Sequence, residues 1–542
     1  MRYRAEIDGL RAIAVVPIIL FHANLPLFSG GFAGVDVFFV ISGYLITRII
    51  LEDIEAGRFS LPLFYERRLR RIAPALIFVC LACLPFAALW MLPPEFKAFG
   101  KSLFHTLLMV PNFQLWGEVD YFALQSELKP LLHMWSLAVE EQFYLFFPPL
   151  LWLLRKSSRQ RMFVVVAVVA VVSFLLTWPV SKADPVANFY LPFTRIWELA
   201  LGALLAIYRP QNIRLPETGR SLLALVGLSA IIGSYLFLKS THHYPGPGTL
   251  IPCLGTLLVL AFATPTNLTG QLLGLRWLVG IGLISYSLYL WHQPVFAFAR
   301  LRMIEPLPMG FHLSLIALTF SLAIFSYMFV ETPFRRGQMV SARQMFRLCG
   351  ASATALIVVG IVIADAEGFP GRDEELASMR TVSTGLGEKC EGRVNPDCVT
   401  KPAPTMAVWG DSYAMHIVDG IIASQRPDAG GLVQLNMHSC GPLMTVAPVI
   451  PEKAATWPVE CLRHNVEIRD YLASTPSLTY VVLASPFKQY LDSEEMMRAD
   501  AVAERLKYDT VRRDLEASLD WLRSVGLKPV VFAPPPRDGR DS

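Results

Sequence analysis

The sequence predicts a polytopic α-helical membrane bundle of about eleven spanning helices, followed by a water-facing α/β domain. Three observations predict it. Of 542 residues, 54% are hydrophobic and only 17% charged, far too apolar for a soluble enzyme. Apolar runs of spanning or near-spanning length recur from residue 11 to residue 364. Past residue 365 the pattern changes to short strand and helix signals. The net charge of +4 is small for this length, and no basic block is interleaved with aromatics, so nucleic acid is set aside as a partner.

The apolar runs cover about 11–28, 33–51, 72–92, 133–154, 162–180, 193–208, 221–238, 249–265, 277–299, 310–330 and 350–364. Arg2 and Arg4 precede the first run without a convincing cleavage site, so that helix is expected to be retained. Cytoplasmic loops carry the excess of Lys and Arg. With the N-terminus inside, the basic connections should follow the even-numbered runs. They do at Arg58–Arg71, Arg155–Arg161, Arg209–Arg220 and Arg335–Arg347. Thr264–Arg276 is only weakly basic, and Arg300 with Arg302 stands on the opposite side against the rule. An odd number of spans then delivers the C-terminal part to the periplasmic side. Cysteine usage agrees: Cys80, Cys83, Cys253 and Cys349 lie in or beside apolar runs, whereas Cys390, Cys398, Cys440 and Cys461 fall in the polar part, an even count that suits two disulfides.

From Asp365 to about Pro404 the chain reads as a linker rich in Gly, Pro and charge, carrying the Cys390 and Cys398 loop. Strand signals follow at Thr405–Trp409, Leu432–Asn436, Tyr480–Ala484 and Pro529–Ala533, with a helix over about 498–525. Alternation of this kind predicts a parallel sheet. The domain division expected is 1–336 for the main bundle, 337–404 for an eleventh span with linker, and 405–542 for the α/β domain.

Ionisable side chains inside a span cost several kcal/mol unless paired or hydrated, so each is a functional candidate. Arg11 and His22 are eleven positions apart, about 1100° of helical rotation, which places them within roughly 20° of one face and about 16 Å apart. A cationic mouth is thus expected beneath a mid-membrane imidazole able to take and return a proton. A packing histidine bonded to a backbone carbonyl is the bland alternative. In the second run Gly30, Gly31, Gly34 and Gly43 permit close backbone approach, while Asp36 is placed to orient His22 or pair with an arginine. Arg67, Arg68, Arg70 and Arg71 read either as a positive-inside anchor or as guanidinium groups suited to phosphates. The fourth run opens at His133, Trp135 and Ser136 and continues to Glu140, Glu141 and Tyr144. Adjacent carboxylates point about 100° apart, so one of the two is expected to face the core. Arg195 with Glu198, Tyr289 with His292, and Glu331 complete the set. No clustered metal-ligand spacing is present, so no metal is expected.

The segments Asp8–Arg11, His22, Gly31–Leu45, Arg67–Pro74, Trp135–Tyr144, Tyr286–Pro294 and Val330–Arg335 together resemble the acyltransferase 3 family over roughly residues 5–336. That family includes O-antigen and peptidoglycan O-acetylases. The resemblance implies that Arg11 and His22 match its essential basic residue and histidine. Its cytoplasmic arginine pair maps onto Arg68 and Arg71, with Arg67 and Arg70 as an equally spaced alternative. Catalytic roles are thereby expected for His22, Arg11, Asp36 and Glu141, and donor contacts for Arg68, Arg71, Arg67, Trp135, Ser136, Tyr144 and His292. The implied activity is acetyl transfer from cytoplasmic acetyl-CoA, through a bacterial inner membrane, to a hydroxyl of an O-antigen or other surface polysaccharide. Whether His22 carries the acyl group or acts as a base is left open.

The C-terminal domain is similar to the SGNH hydrolase fold, a flavodoxin-like parallel-sheet fold often fused to such transferases. Gly410, Asp411 and Ser412 match its nucleophile block, which implies catalytic roles for Ser412 and Asp411. The fold's usual Asp-x-x-His block does not occur before Ser542, so the domain is expected to continue in the natural protein. His416, His438 and His464 are possible stand-ins. Two other classes compete: a secondary transporter using the same buried charges, for which no inverted repeat is visible, and a surface esterase on a membrane anchor, which would not need eleven spans.

Overall fold

The computed structural model describes residues 3–118, 124–208, 215–239, 244–303, 309–335, 340–372, 383–395, 397–426, 430–450, 456–487, 490, 495–498, 503–505 and 508–532. The chain divides into two compact units, Met1–Met379 and Arg380–Ser542.

The described residues of the first unit form helices and no strand. Among the described residues, six helices are long and apolar enough to cross a membrane: Gly31–Glu55, Leu61–Trp90, Arg159–Ala183, Glu217–Phe237, Gly310–Arg335 and Ala342–Asp365. The other apolar runs differ for identifiable reasons. Helix α1 (Ala5–His22) carries Glu6, Asp8 and Arg11 and stops at His22, so the run read as 11–28 breaks in a turn where Asn24 has a φ of 53°. His22 therefore sits in the last turn of its helix. The runs near 200 and 255 yield shorter apolar helices, Ile196–Tyr208 and Pro247–Phe262. The run near 285 is two helices, Arg276–Leu283 and Ser285–Arg302.

Glycine sets the closest crossings. Helix α2 (Gly34–Glu55) packs on Ile196–Tyr208 backbone to backbone. A Cβ on Gly43 would lie 1.9 Å from the Leu199 carbonyl oxygen, and one on Gly202 would lie 2.0 Å from that of Val40. Any side chain at either place forces these helices apart. Helix α3 (Leu61–Trp90) runs beside Ser285–Arg302 and delivers the arginine cluster from its first turns. The four cysteines of this unit, Cys80, Cys83, Cys253 and Cys349, are free and buried.

The second unit is built on a four-stranded sheet of order β2-β1-β4-β7, from β1 (Pro404–Gly410), β2 (Gly431–Asn436), β4 (Tyr480–Ala484) and β7 (Lys528–Phe532). All three pairings in it are parallel. On β1, β2 and β4 the core residues are Ala407, Trp409, Val433, Leu435, Val481 and Leu483 on one side and Val408, Leu432, Val482 and Ala484 on the other, with the polar Gln434 and Asn436 of β2 buried as well. β1, β2 and β4 are thus covered on both faces, whereas Val530, Val531 and Phe532 of the edge strand β7 are exposed. A second, antiparallel sheet of β3 (Val446–Pro448), β5 (Glu495–Arg498) and β6 (Ala503–Arg505) was not foreseen, because three- and four-residue strands leave too little alternation to read. The helix read over 498–525 is Tyr508–Ser524. The Pro-rich turn after β7 lies outside the described residues.

Cysteines pair as Cys390–Cys398 and Cys440–Cys461. The first closes a loop that is pinned to the sheet and does not behave as linker. Gly392 N–H donates to the Asn436 carbonyl at 2.8 Å, Thr400 N–H to Leu432 at 2.9 Å, and Gln434 N–H to Cys398 at 3.0 Å.

Candidate active site

The arginines of α3 define the first chamber. Arg68 and Arg71 are three residues apart and share one helix face, about 60° apart, whereas Arg67 is about 100° from Arg68 on the flank beyond Arg71. A cavity of about 170 Å³ is lined by Arg11, Arg68, Arg71, Glu140, Glu141 and Tyr144, with Ser42 from α2 and with Ser136, Tyr286 and Tyr289. The Arg68 guanidinium lies over the Tyr144 ring, 3.9 Å from its centroid, and its Nε is buried with no hydrogen-bond partner among the described residues. Tyr144 donates to Glu140. Both neighbouring carboxylates line this cavity, not one, because its wall spans more than the 100° arc that separates them. Arg11 pairs with Asp8 at 3.3 Å.

Arg67 takes no part in it. Its side chain is 62% exposed and faces Asp53 at 3.7 Å. Arg70, its partner in the alternative pair, binds Glu66 at 2.9 Å and the Val340 carbonyl at 3.0 Å.

Beside the cavity three buried imidazoles pack together. His22, 3% exposed, lies 5.2 Å from His292 between ring centroids, and His292 lies 5.0 Å from His133. Tyr289 closes the cluster on the side of the first cavity, its ring 5.2 Å from His292 and 5.3 Å from His133. Its hydroxyl meets Ser136 Oγ at 2.5 Å and the His133 carbonyl at 3.1 Å. His292 Nδ1 is 2.6 Å from the Tyr289 carbonyl, while its Nε2 is buried with no partner among the described residues. Arg11 thus lines the cavity and His22 does not. Ser136 and Tyr289 line the cavity too, and Tyr289 is the lining residue whose ring packs on His133 and His292.

Asp36 and Trp135 lie elsewhere. Asp36 accepts from Arg195 at 2.9 Å and from the Tyr244 hydroxyl, and Arg195 also meets Glu198 at 3.1 Å. Trp135, Phe189 and Tyr244 enclose the guanidinium at 5.2, 4.8 and 5.4 Å from their ring centroids. The sequence-level expectation that Asp36 orients His22 is therefore replaced by its second alternative, an arginine partner. Trp135 moves from the donor contacts to this cage, since its neighbour Ser136 occupies the cavity-facing position. Tyr286 and Arg300 were not singled out as site residues, and His133, Glu140 and Tyr289 were candidates to which the sequence assigned no role. His133 and Tyr289 were visible as polar groups in apolar runs, but nothing in their spacing says that helices 150 residues apart meet.

In the second unit, Asp411 and Ser412 sit where β1 turns into the Ser412–Ser424 helix. The Asp411 carboxylate is buried, capping Tyr413 N–H at 2.8 Å and accepting from Ser485 Oγ at 2.6 Å. Ser412 opens the helix and is partly exposed. Among the described residues none of His416, His438 and His464 hydrogen-bonds its hydroxyl; His416 and His438 are exposed and His464 is buried. Asn436 ends β2 in register with Gly410, and its Nδ2 is buried without a partner among the described residues. It was read only as a strand residue. The C-terminal edge of a parallel sheet is where ligands collect, so Asn436 joins Ser412 as a candidate donor.

Burial pushes the His464 imidazole down to about 4. The folded state holds it neutral, whereas the unfolded chain protonates it near 6.5. Its penalty is absent above about 6.5 and grows as pH falls through 4, reaching on the order of 3 kcal/mol. Thermal unfolding of the second unit within the whole protein should fall over that window, and His464→Gln should flatten the slope.

Residues 4–331 match the profile of the family described as "Acyltransferase domain". Residues 385–542 match that of the SGNH domain fused to AT3 domains. The chain is 32% identical over 393 residues to the O-acetyltransferase OatA of Staphylococcus aureus strain NCTC 8325 / PS 47, covering 70% of this chain and 65% of that one. It is 34% identical over 350 residues to OatA of strain MRSA252, covering 62% and 58%. The chain thus spans less than two thirds of the length of these relatives. No solved structure matches it.

Proposed function

The chain belongs to the acyltransferase domain family, and from that premise we propose that it is a membrane O-acetyltransferase carrying an acetyl group from cytoplasmic acetyl-CoA to a hydroxyl of a surface glycan such as O-antigen. One observation carries the proposal: an arginine-lined cavity is also lined by the hydrogen-bonded hydroxyls of Ser136 and Tyr289, and the Tyr289 ring packs on a cluster of three histidines. Arg68 and Arg71 hold the donor phosphates, for which guanidinium forks are the fitting partners. The thioester points inward toward Ser136 and Tyr289. Parting of those two hydroxyls admits it to His22, which takes the proton of the acceptor alcohol or accepts the acyl group itself. The eleven-span topology, with the N-terminus cytoplasmic and the second unit periplasmic, belongs to the same proposal. Ser412, at the N-terminus of its helix, serves as nucleophile in a second stage on the glycan side.

Labelled acetyl-CoA and purified protein test this directly. Label should reach an added glycan as an ester. Arg68→Gln or Arg71→Gln should raise KM for acetyl-CoA about tenfold, roughly 1.4 kcal/mol of lost phosphate binding, with a smaller change in kcat. An unchanged KM in both variants would remove the donor from this cavity.

A further inference from the structure

Loop charge leaves Arg300 and Arg302 as exceptions to the positive-inside pattern. The two behave differently. Arg302 is exposed. Arg300, in the last turn of Ser285–Arg302, has a side chain only 11% exposed. Its Nη2 donates to the main-chain carbonyl of His22 and lies 3.3 Å from Glu127 Oε2. Its Nη1 is buried and has no hydrogen-bond partner among the described residues. A guanidinium is thus fixed against the end of α1 by one nitrogen and by a carboxylate, with a second nitrogen left over beside the residue proposed to handle the proton. A cation that is sheltered, anchored twice and still holds a spare donor is not explained as a topology signal. It is not explained as a plain ion pair either, which would turn both nitrogens to Glu127.

We infer that Arg300 is a catalytic residue whose Nη1 binds the carbonyl oxygen of the acyl group as it becomes an oxyanion. The inference rests on the proposed transfer at His22. In the step it serves, the acceptor hydroxyl oxygen bonds to the thioester carbonyl carbon while its proton passes to the His22 imidazole. The C=O electron pair moves onto oxygen, facing Arg300 Nη1. Collapse restores C=O, breaks the C–S bond, and returns the proton from His22 to the departing thiolate. Donors fixed where charge develops are the usual way to lower such a barrier. Glu127 keeps the guanidinium in place, and Arg300 in turn holds the backbone of His22, so base and oxyanion donor are positioned by one side chain.

Chemical rescue in the full-length protein separates this role from a structural one. Arg300→Ala should lower kcat by about 10²- to 10³-fold with little change in KM for acetyl-CoA. Added methylguanidinium should restore part of it, and methylammonium should not. A folded Arg300→Ala protein that keeps its rate, or that no guanidinium rescues, overturns the inference. Should that variant not fold, Arg300→Lys decides: its single ammonium cannot both bond the His22 carbonyl and present a second fixed donor, so kcat falls about 10²-fold, and a rate like that of the unaltered protein overturns the role. His22→Ala read in parallel keeps the two claims apart. Transfer surviving that change refutes the reaction scheme, whereas an inert His22→Ala beside a fully active Arg300→Ala refutes only the assignment of Arg300.

Discussion

His22→Ala is expected to lower acyl transfer by about 10²- to 10⁴-fold, the range that a positioned general base supplies. In the living host this appears as loss of O-acetyl signals from the NMR spectrum of the surface glycan. The size follows from where the ring sits. It is buried at the end of α1, packed on His292, and its main-chain carbonyl is held by Arg300. The carbonyl contact survives removal of the imidazole, so the helix end stays in place and the chemistry is what is lost. Unchanged O-acetyl signals would deny His22 any part in the reaction.

The largest effect on stability is expected at Arg195, not at the reaction site. Its guanidinium is 1% exposed and sits between Asp36 and Glu198, both equally enclosed. Arg195→Met keeps much of the side chain's bulk but leaves two carboxylates with no cation between them. Removing one partner of a buried ionic set costs about 3 to 5 kcal/mol. Thermal unfolding in detergent should therefore shift down sharply. Asp36→Asn, which leaves Arg195 with Glu198 and keeps a hydrogen-bond acceptor, should cost clearly less. Equal losses for the two would show that the guanidinium is not the hub. The same cluster explains why α2 and Ile196–Tyr208 stay registered where Gly43 and Gly202 let their backbones touch.

Much of the first chamber was legible because helical periodicity is a local rule. Three-residue spacing puts Arg68 and Arg71 on one face without reference to anything else, and Glu141 and Tyr144 follow by the same arithmetic. The strands of the second unit were legible for a similar reason: each is a short apolar run bounded by turn residues. What could not be read is convergence across long sequence separations. Asp36 meets Arg195 over 159 positions, and Ser136 meets Tyr289 over 153. Periodicity assigns Trp135 and Ser136 to adjacent directions but does not say which one faces a cavity. The first helix was read to about residue 28 because apolar residues continue past His22, although the backbone turns at Asn24. Arg300 looked like noise in the loop charges until its side chain was seen folded back onto α1.

Sealed proteoliposomes offer the most direct measurement, with labelled acetyl-CoA enclosed with the arginine-lined side and the glycan acceptor outside. Label should appear on the external glycan as an ester with the unaltered protein and fall to background with His22→Ala. External label formed equally fast by His22→Ala, or label that never leaves the lumen with the unaltered protein, would contradict transfer at the histidine cluster.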